Sequence, residues 1–352
     1  MKNLSLAIAA LTLAATLALA GPLAAAPRYY YHDLGGLPGG NASRAYGLNR
    51  FGQVVGYAYN SAWNSRAFLK NYGQTMEDLG TLGGSSSTAY GINGTGRVVG
   101  EALTASGKTR AFFKEPGQAM EDLGTLEGGS WSRAYAINHA GQVVGSADDA
   151  AGNSRAFLKE PGQALQDLGV LEGGNWSLAY GVNDAGQVVG VAQNADSYSR
   201  AFLKNPGQAI QDLGILEGGS WSRAFGINRT GQVVGTADDA YGNSRAFLKD
   251  PGRAMRKLGE LWDAYSGANG INDAGQVVGW AQDAGGNYCA FLWDKGAIYD
   301  LNDLTADLPS GVRLKEAQAI NARGWIVGYT ANDRAFLLTT GGYLPSMLLL
   351  GD

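Results

Sequence analysis

The chain has 352 residues, 54 of them Gly and only 16% charged, with a formal net charge of −4. A Gly-rich, charge-poor composition suits many short strands joined by tight turns and argues against a helix-rich fold. No block of Lys or Arg is present, so neither nucleic acid nor an anionic membrane surface is an expected partner.

In chain order, residues 1–26 read as a signal peptide and short leader. Lys2 supplies the positive start, Leu4 to Leu19 an unbroken small and apolar stretch, and Ala18-Leu19-Ala20 a cleavage pattern, with a second option at Ala24 to Ala26. The stretch is short for a membrane span and no second apolar run of sufficient length follows, so the mature chain is expected to be secreted or periplasmic with no membrane span. The only cysteine, Cys289, leaves an exported chain without internal disulfides and reads as an inert core thiol.

Residues 27–352 read as one domain of seven units. Triplets of the Gly-Ile-Asn kind end at Asn49, Asn93, Asn138, Asn183, Asn228, Asn272 and Asn321, at steps of 44, 45, 45, 45, 44 and 49. Each Asn is followed by a Gly three positions on, a β-branched pair, an Ala-Phe or its equivalent, and an Asp-Leu-Gly relative. One unit, residues 132–169, then reads as four strands, SRAYAIN, QVVGSA, SRAFLK and ALQDLG, separated by turn-forming NHAG, DDAAGN and EPGQ. Apolar residues fall on both faces of such a sheet: Val143 and Val144 point opposite ways. Each sheet must therefore be sandwiched between neighbours.

These features predict an all-β, seven-bladed β-propeller of four-stranded antiparallel blades. The chain begins with a lone fourth strand, YYYHDLGG at 29–36, and its last unit stops after RAFLLTT at 334–340. The N-terminal strand is therefore expected to close the seventh blade beside Phe336, with YLPSMLLL at 343–350 as the alternative closing strand. The hairpin register pairs Arg66 with Asp78, Arg110 with Asp122, Arg155 with Asp167, Arg200 with Asp212 and, across the closure, Arg334 with Asp33. The pattern breaks where Arg245 meets Lys257 and where Cys289 stands opposite Asp300, so blades five and six should be held differently there.

The joint pattern DLGTLGG at 78–84, YGIN at 90–93, GRVVG at 96–100 and RAFF at 110–113 resembles the extracellular HAF-repeat family, named for a His-Ala-Phe tripeptide; the likeness covers residues 33–337. The resemblance implies an exported repeat protein and carries no activity with it. This chain has Arg, Cys or another residue in place of the His of that tripeptide, which removes any metal site built on a ring of histidines.

No constellation for nucleophilic, metal or phosphate chemistry is present, and no cofactor is expected. One end of the propeller collects the unusual residues. Inter-blade loops carry Trp131, Trp176, Trp221 and Trp262, and neighbouring hairpin loops carry Asp148, Asp149, Asn194, Asp196, Asp238 and Asp239. Aromatic platforms beside carboxylates and amides suit sugar rings, although a Trp between blades also serves simply as packing. Calcium in the DDAAGN and DDAYGN turns is a minor reading beside plain hairpins. Arg133 and Arg223, near the axis, either line the channel or pair with Glu127 and Glu217. Segments 126–163 and 216–253 match at 30 of 38 positions, loops included, which suits repeated weak sites better than one catalytic centre. The reading is an extracellular binding module for glycan or a cell-surface protein. The alternatives are a polysaccharide hydrolase or lyase with two facing carboxylates, and a structural or protein-interaction protein of the envelope.

Overall fold

A computed structural model describes residues 29–259 and 265–341. It contains seven four-stranded antiparallel sheets; in six of them the strands follow chain order from the inside outward, and in the seventh the outermost strand comes from the start of the chain. Blade 3 is representative, with strands Ser132–Ile137, Val143–Asp148, Ser154–Lys159 and Leu165–Asp167. The signal-like segment, Trp262 and the segment 343–350 lie outside the described residues.

The alternation read from the sequence builds the cores between blades rather than within them. Val143 packs with Phe157 of its own blade against Val99 and Ala111 of the blade before, while Val144 packs with Val188 and Phe202 of the blade after. The seven repeat Phe residues are all fully buried. The Gly that follows each valine pair has a steric reason. A Cβ at Gly145 would stand 2.0 Å from the carbonyl oxygen of Arg133, because the innermost strand bulges against it. The bulged residue in blade 3 is Tyr135, skipped in the register between Ala134 and Ala136.

Two hydrogen-bond systems lock each blade to the next. Near the axis, every repeat Asn donates its side-chain amide to the backbone carbonyl of the next repeat Asn: Asn49 to Asn93 (3.0 Å), Asn93 to Asn138 (3.1 Å), and so on around to Asn321, which donates to Asn49 at 3.1 Å. The belt is continuous across the seam. Each Asn can span blades because its Oδ1 also fixes its own turn, as in Asn138 accepting from Gln142 N at 2.9 Å. Farther out, a buried Ser at the start of the innermost strand accepts from a backbone amide of the preceding blade and donates to a carbonyl there. Ser132 accepts from Ala111 N (2.9 Å) and donates to Gly124 O, and Ser43, Ser87, Ser177 and Ser222 repeat the arrangement. The seventh blade has Leu314 at the start of its inner strand.

The closure is as expected. Strand β1, Tyr29–Asp33, pairs antiparallel with Ala335–Thr340, with Asp33 opposite Phe336. That edge is therefore occupied by β1. The longer sixth step supplies a one-turn helix, Leu301–Leu304, and a following loop that grip β1 from the other side: Ala306 N donates to Tyr29 O (2.9 Å), and Tyr31 N donates to Asp307 (2.7 Å).

The Arg–Asp pairs need a correction of register. Asp167 lies opposite Phe157, not Arg155, because the turn takes in residues 160–164 and the strands slide by two. An even slip keeps both charges on one side of the sheet, so they still meet diagonally, at 3.0 Å for Arg66–Asp78, 3.2 Å for Arg334–Asp33, and 3.7 to 3.9 Å for the other three. Blades five and six do differ there. Arg245 is buried against Asp239 at 2.7 Å, and the buried Cys289 thiol contacts Ala281 O at 3.3 Å. Burial, reinforced by Asp300, pushes that thiol up to about 12, which keeps it protonated and unreactive.

Candidate functional site

Each inner strand runs from the top of the ring, where the inter-blade loops cross, to the bottom, where the Asn turns lie. Hairpin loops between the second and third strands also emerge at the top, so the top face gathers two loops per blade. Among the described residues, five of the seven exposed large apolar side chains are on it: Trp63 (68% exposed), Tyr198, Tyr241 (89%), Tyr265 and Tyr288. Phe51 and Tyr72 are on the bottom. Trp131, Trp176 and Trp221 are on the top as expected but half-buried, and Arg223 lies over the Trp221 ring at 5.7 Å.

The acidic residues expected beside these rings serve their own loops. Asp148 accepts from Ser130 N (2.6 Å), Ser130 Oγ (2.7 Å) and Trp131 N (2.8 Å), and Asp238 does the same for Ser220 and Trp221. Burial raises the Asp148 carboxyl, but the hydrogen bonds from Trp131 and Ser130 outweigh it and hold the group below its usual value. Asp149 and Asp239 accept the amides of their turns and pair with Arg155 (2.9 Å) and Arg245 (2.7 Å). The Asn153 amide and the Arg155 guanidinium draw Asp149 down to about 2. Asn194 accepts from Asp196 N and Tyr198 N in the equivalent turn, and the Asp196 side chain is exposed. The structure thus brings Trp131 together with Asp148 and Trp221 with Asp238, through backbone amides and not through the rings. Among the described residues no group of three or more His, Cys, Asp or Glu is arranged to hold a metal.

The sequence reading missed Trp63. Its φ is +59°, at the turn position that blades 2, 3, 5 and 6 give to Gly107, Gly152, Gly242 and Gly286 with φ near +80°. A left-handed Trp is unfavourable by about 1–2 kcal/mol, so its exposure there is retained against a cost. The signal was visible as an aromatic residue in a Gly slot. Trp63 also begins a continuous aromatic run: Tyr59 (6.0 Å), Tyr57 (5.6 Å) and Tyr46 (6.0 Å), then the collar of bulged residues Tyr46, Tyr90, Tyr135, Tyr180 and Phe225, with centroids 5.0–5.4 Å apart around the channel. Blades 6 and 7 put Asn269 and Gln318 at these positions.

Above the collar, Arg133 and Arg44 are paired. Arg133 meets Glu101 of the preceding blade at 2.6 Å, and not Glu127, while Tyr90 donates to the same carboxylate at 2.7 Å. Arg44 binds Asp333 at 2.7 Å and lies over the Tyr329 ring at 4.4 Å; Tyr329 and Asn269 both donate to Glu316.

No protein-family model matches the chain, and no curated protein matches it. Solved structures do. The chain resembles the β-propeller domain of the Trilobed protease from Pyrococcus furiosus, described as having an open velcro topology, at TM-score 0.56 and 10% identity over 86% of this chain and 97% of that one. The fold is a β-propeller. It is also similar to the BP39L lectin from Burkholderia pseudomallei (TM-score 0.50, 8% identity, 90% of this chain and 97% of the lectin). A puromycin-hydrolyzing peptidase from Mycobacterium tuberculosis matches at TM-score 0.55 and 11% identity over 83% of this chain, which spans about half (49%) of the peptidase. At such identities the likeness establishes architecture alone. The HAF-repeat resemblance rests on the repeated motifs alone. No helix among the described residues is long and apolar enough to cross a membrane.

Proposed function

We propose that this propeller is an exported binding protein, without catalysis, that takes glycan on its top face through aromatic platforms spread over several blades. The observation that carries the reading is the concentration of exposed rings there, with Trp63 held in a left-handed turn. Sugar rings offer C–H faces that stack on such side chains, and several modest sites act together when the ligand repeats. Asp148, Asp149 and Asp239 on that face are consumed by turn amides and, for the latter two, by Arg partners, and are held ionised, which suits neither half of an acid–base carboxylate pair.

A glycan array on the mature protein tests the reading. At least one glycan class should bind, and the variants Trp63→Gly and Tyr241→Ala should each weaken binding several-fold, about 1 kcal/mol per lost stacking contact. Trp63→Gly should at the same time raise stability by about 1 kcal/mol as the turn strain is released. The set Trp131→Ala, Trp176→Ala and Trp221→Ala measures how far the half-buried rings share the load. Absence of glycan binding, or binding indifferent to all five substitutions, would overturn the proposal.

A further inference from the structure

The Asn belt brings the residue after each Asn to the bottom mouth of the channel. Over the first six blades these are Arg50, Gly94, His139, Asp184, Arg229 and Asp273, around a cavity of about 590 Å3 whose floor is aliphatic, with Ile92, Ile137 and Ile227 in the lining. Two of these residues reveal what the position demands. Asp184 reaches back to accept the backbone amide of His139 at 3.0 Å. Asp273 does the same for Arg229, accepting its amide at 2.9 Å and its Nε at 2.8 Å. A carboxylate from one blade thus satisfies the turn of the blade before.

Between blades 1 and 2 the donors are present and the carboxylate is not, because position 94 is Gly. A first side-chain atom built on Gly94 would stand 3.6 Å from Arg50 Nε, 3.9 Å from Arg50 Cζ and 3.5 Å from His139 Nδ1. Arg50 and His139 flank that point from two sides, and the Arg50 amide occupies the place that the His139 and Arg229 amides occupy two and four blades on. Beneath it lies the aliphatic floor.

We propose that the gap over Gly94 is a binding site for a monocarboxylate with an aliphatic body, the carboxylate taking the role that Asp184 and Asp273 play elsewhere in the ring. Arg50 supplies a guanidinium and an amide to the anion, His139 supplies a ring nitrogen, and the apolar body covers Ile92 and Ile137. Asp184 lies just beyond His139, so a ligand with a second carboxylate meets like charge. This site shares no residue with the top face, and its fate is independent of the glycan reading.

Calorimetric titration with hexanoate, hexanol and adipate tests it on the wild-type chain and on Arg50→Gln and Gly94→Asp. The backbone at Gly94 is not left-handed, so Asp is sterically admitted and the variant should melt no lower than wild type. Hexanoate should bind the wild type saturably, with hexanol and adipate at least about tenfold weaker. Both variants should lose at least about tenfold in hexanoate affinity, Gly94→Asp because its own carboxylate fills the gap. Undiminished hexanoate affinity in a folded Gly94→Asp variant, equal affinity for adipate, or no saturable binding by the wild type at about 10 mM would each overturn the assignment.

Discussion

Replacing Asn138 by Ala probes the belt at a point far from the seam. The side chain is 4% exposed and makes three hydrogen bonds: Nδ2 to Asn183 O (3.0 Å), Nδ2 to Gln142 Oε1, and Oδ1 from Gln142 N (2.9 Å). At about 1 kcal/mol net each, the loss is about 3 kcal/mol, with further cost if the buried partners find no water. For a domain of this size that corresponds to a fall in melting temperature of about 6 °C. Asn138→Asp should be worse than Ala at neutral pH, because a carboxylate oxygen would face both Asn183 O and Gln142 Oε1. That repulsion, with burial, raises the folded-state pKa of the new carboxyl above its unfolded value, so the extra destabilisation appears as pH rises through about 4 and fades below it. Thermal and urea unfolding followed by circular dichroism at neutral and acid pH would measure both effects. An Ala variant within about 0.5 kcal/mol of wild type, or an Asp variant as stable as wild type at neutral pH, would refute the view that the belt is a principal inter-blade fastening.

Two further outcomes follow from other fastenings. Tyr29→Ala removes a fully buried ring from the closure and should cost about 3 kcal/mol or more, with faster tryptic cleavage after Arg334; unchanged cleavage and stability would mean that β1 contributes little. Asp149 is held at about 2 by its turn amide and Arg155, so its contribution is present above about pH 4 and is lost as pH falls toward about 2. Asp149→Asn should therefore flatten the acid limb of a melting-temperature profile, and a limb as steep as that of wild type would contradict the assignment.

The ring itself was legible because its cause is periodic: valine pairs facing two ways, a Phe every 44 or 45 residues, and a spare strand at the start that the last blade lacks. Side-chain roles that cross between units were not legible. The repeat Asn served as a marker of period, and nothing in one unit announces that its amide reaches the carbonyl of the next; the same holds for the clasp made by Ser132. The Arg–Asp pairing survived a mistaken register only because a slip of two preserves sidedness. Candidate site residues fared unevenly for a similar reason. Asp148 looks like a free carboxylate in a loop, but its position at a strand end lets it cap the neighbouring crossover. Trp63, hidden in a unit whose loop NSAWN differs from its siblings, was discernible only as a bulky residue in a slot that four other blades give to Gly and two to Ser197 and Asp333.

His32 and Thr339 are joined by a 2.9 Å hydrogen bond across 307 positions of sequence. The first strand of the ring to be made therefore waits for the last, and a chain that stops short of residue 335 cannot shut the circle. Such a product would carry an unlaced rim that proteases and holding chaperones can recognise. Placing the seam between the first and last strands of the ring makes closure a built-in inspection of the blade series, passed only once all seven have been made.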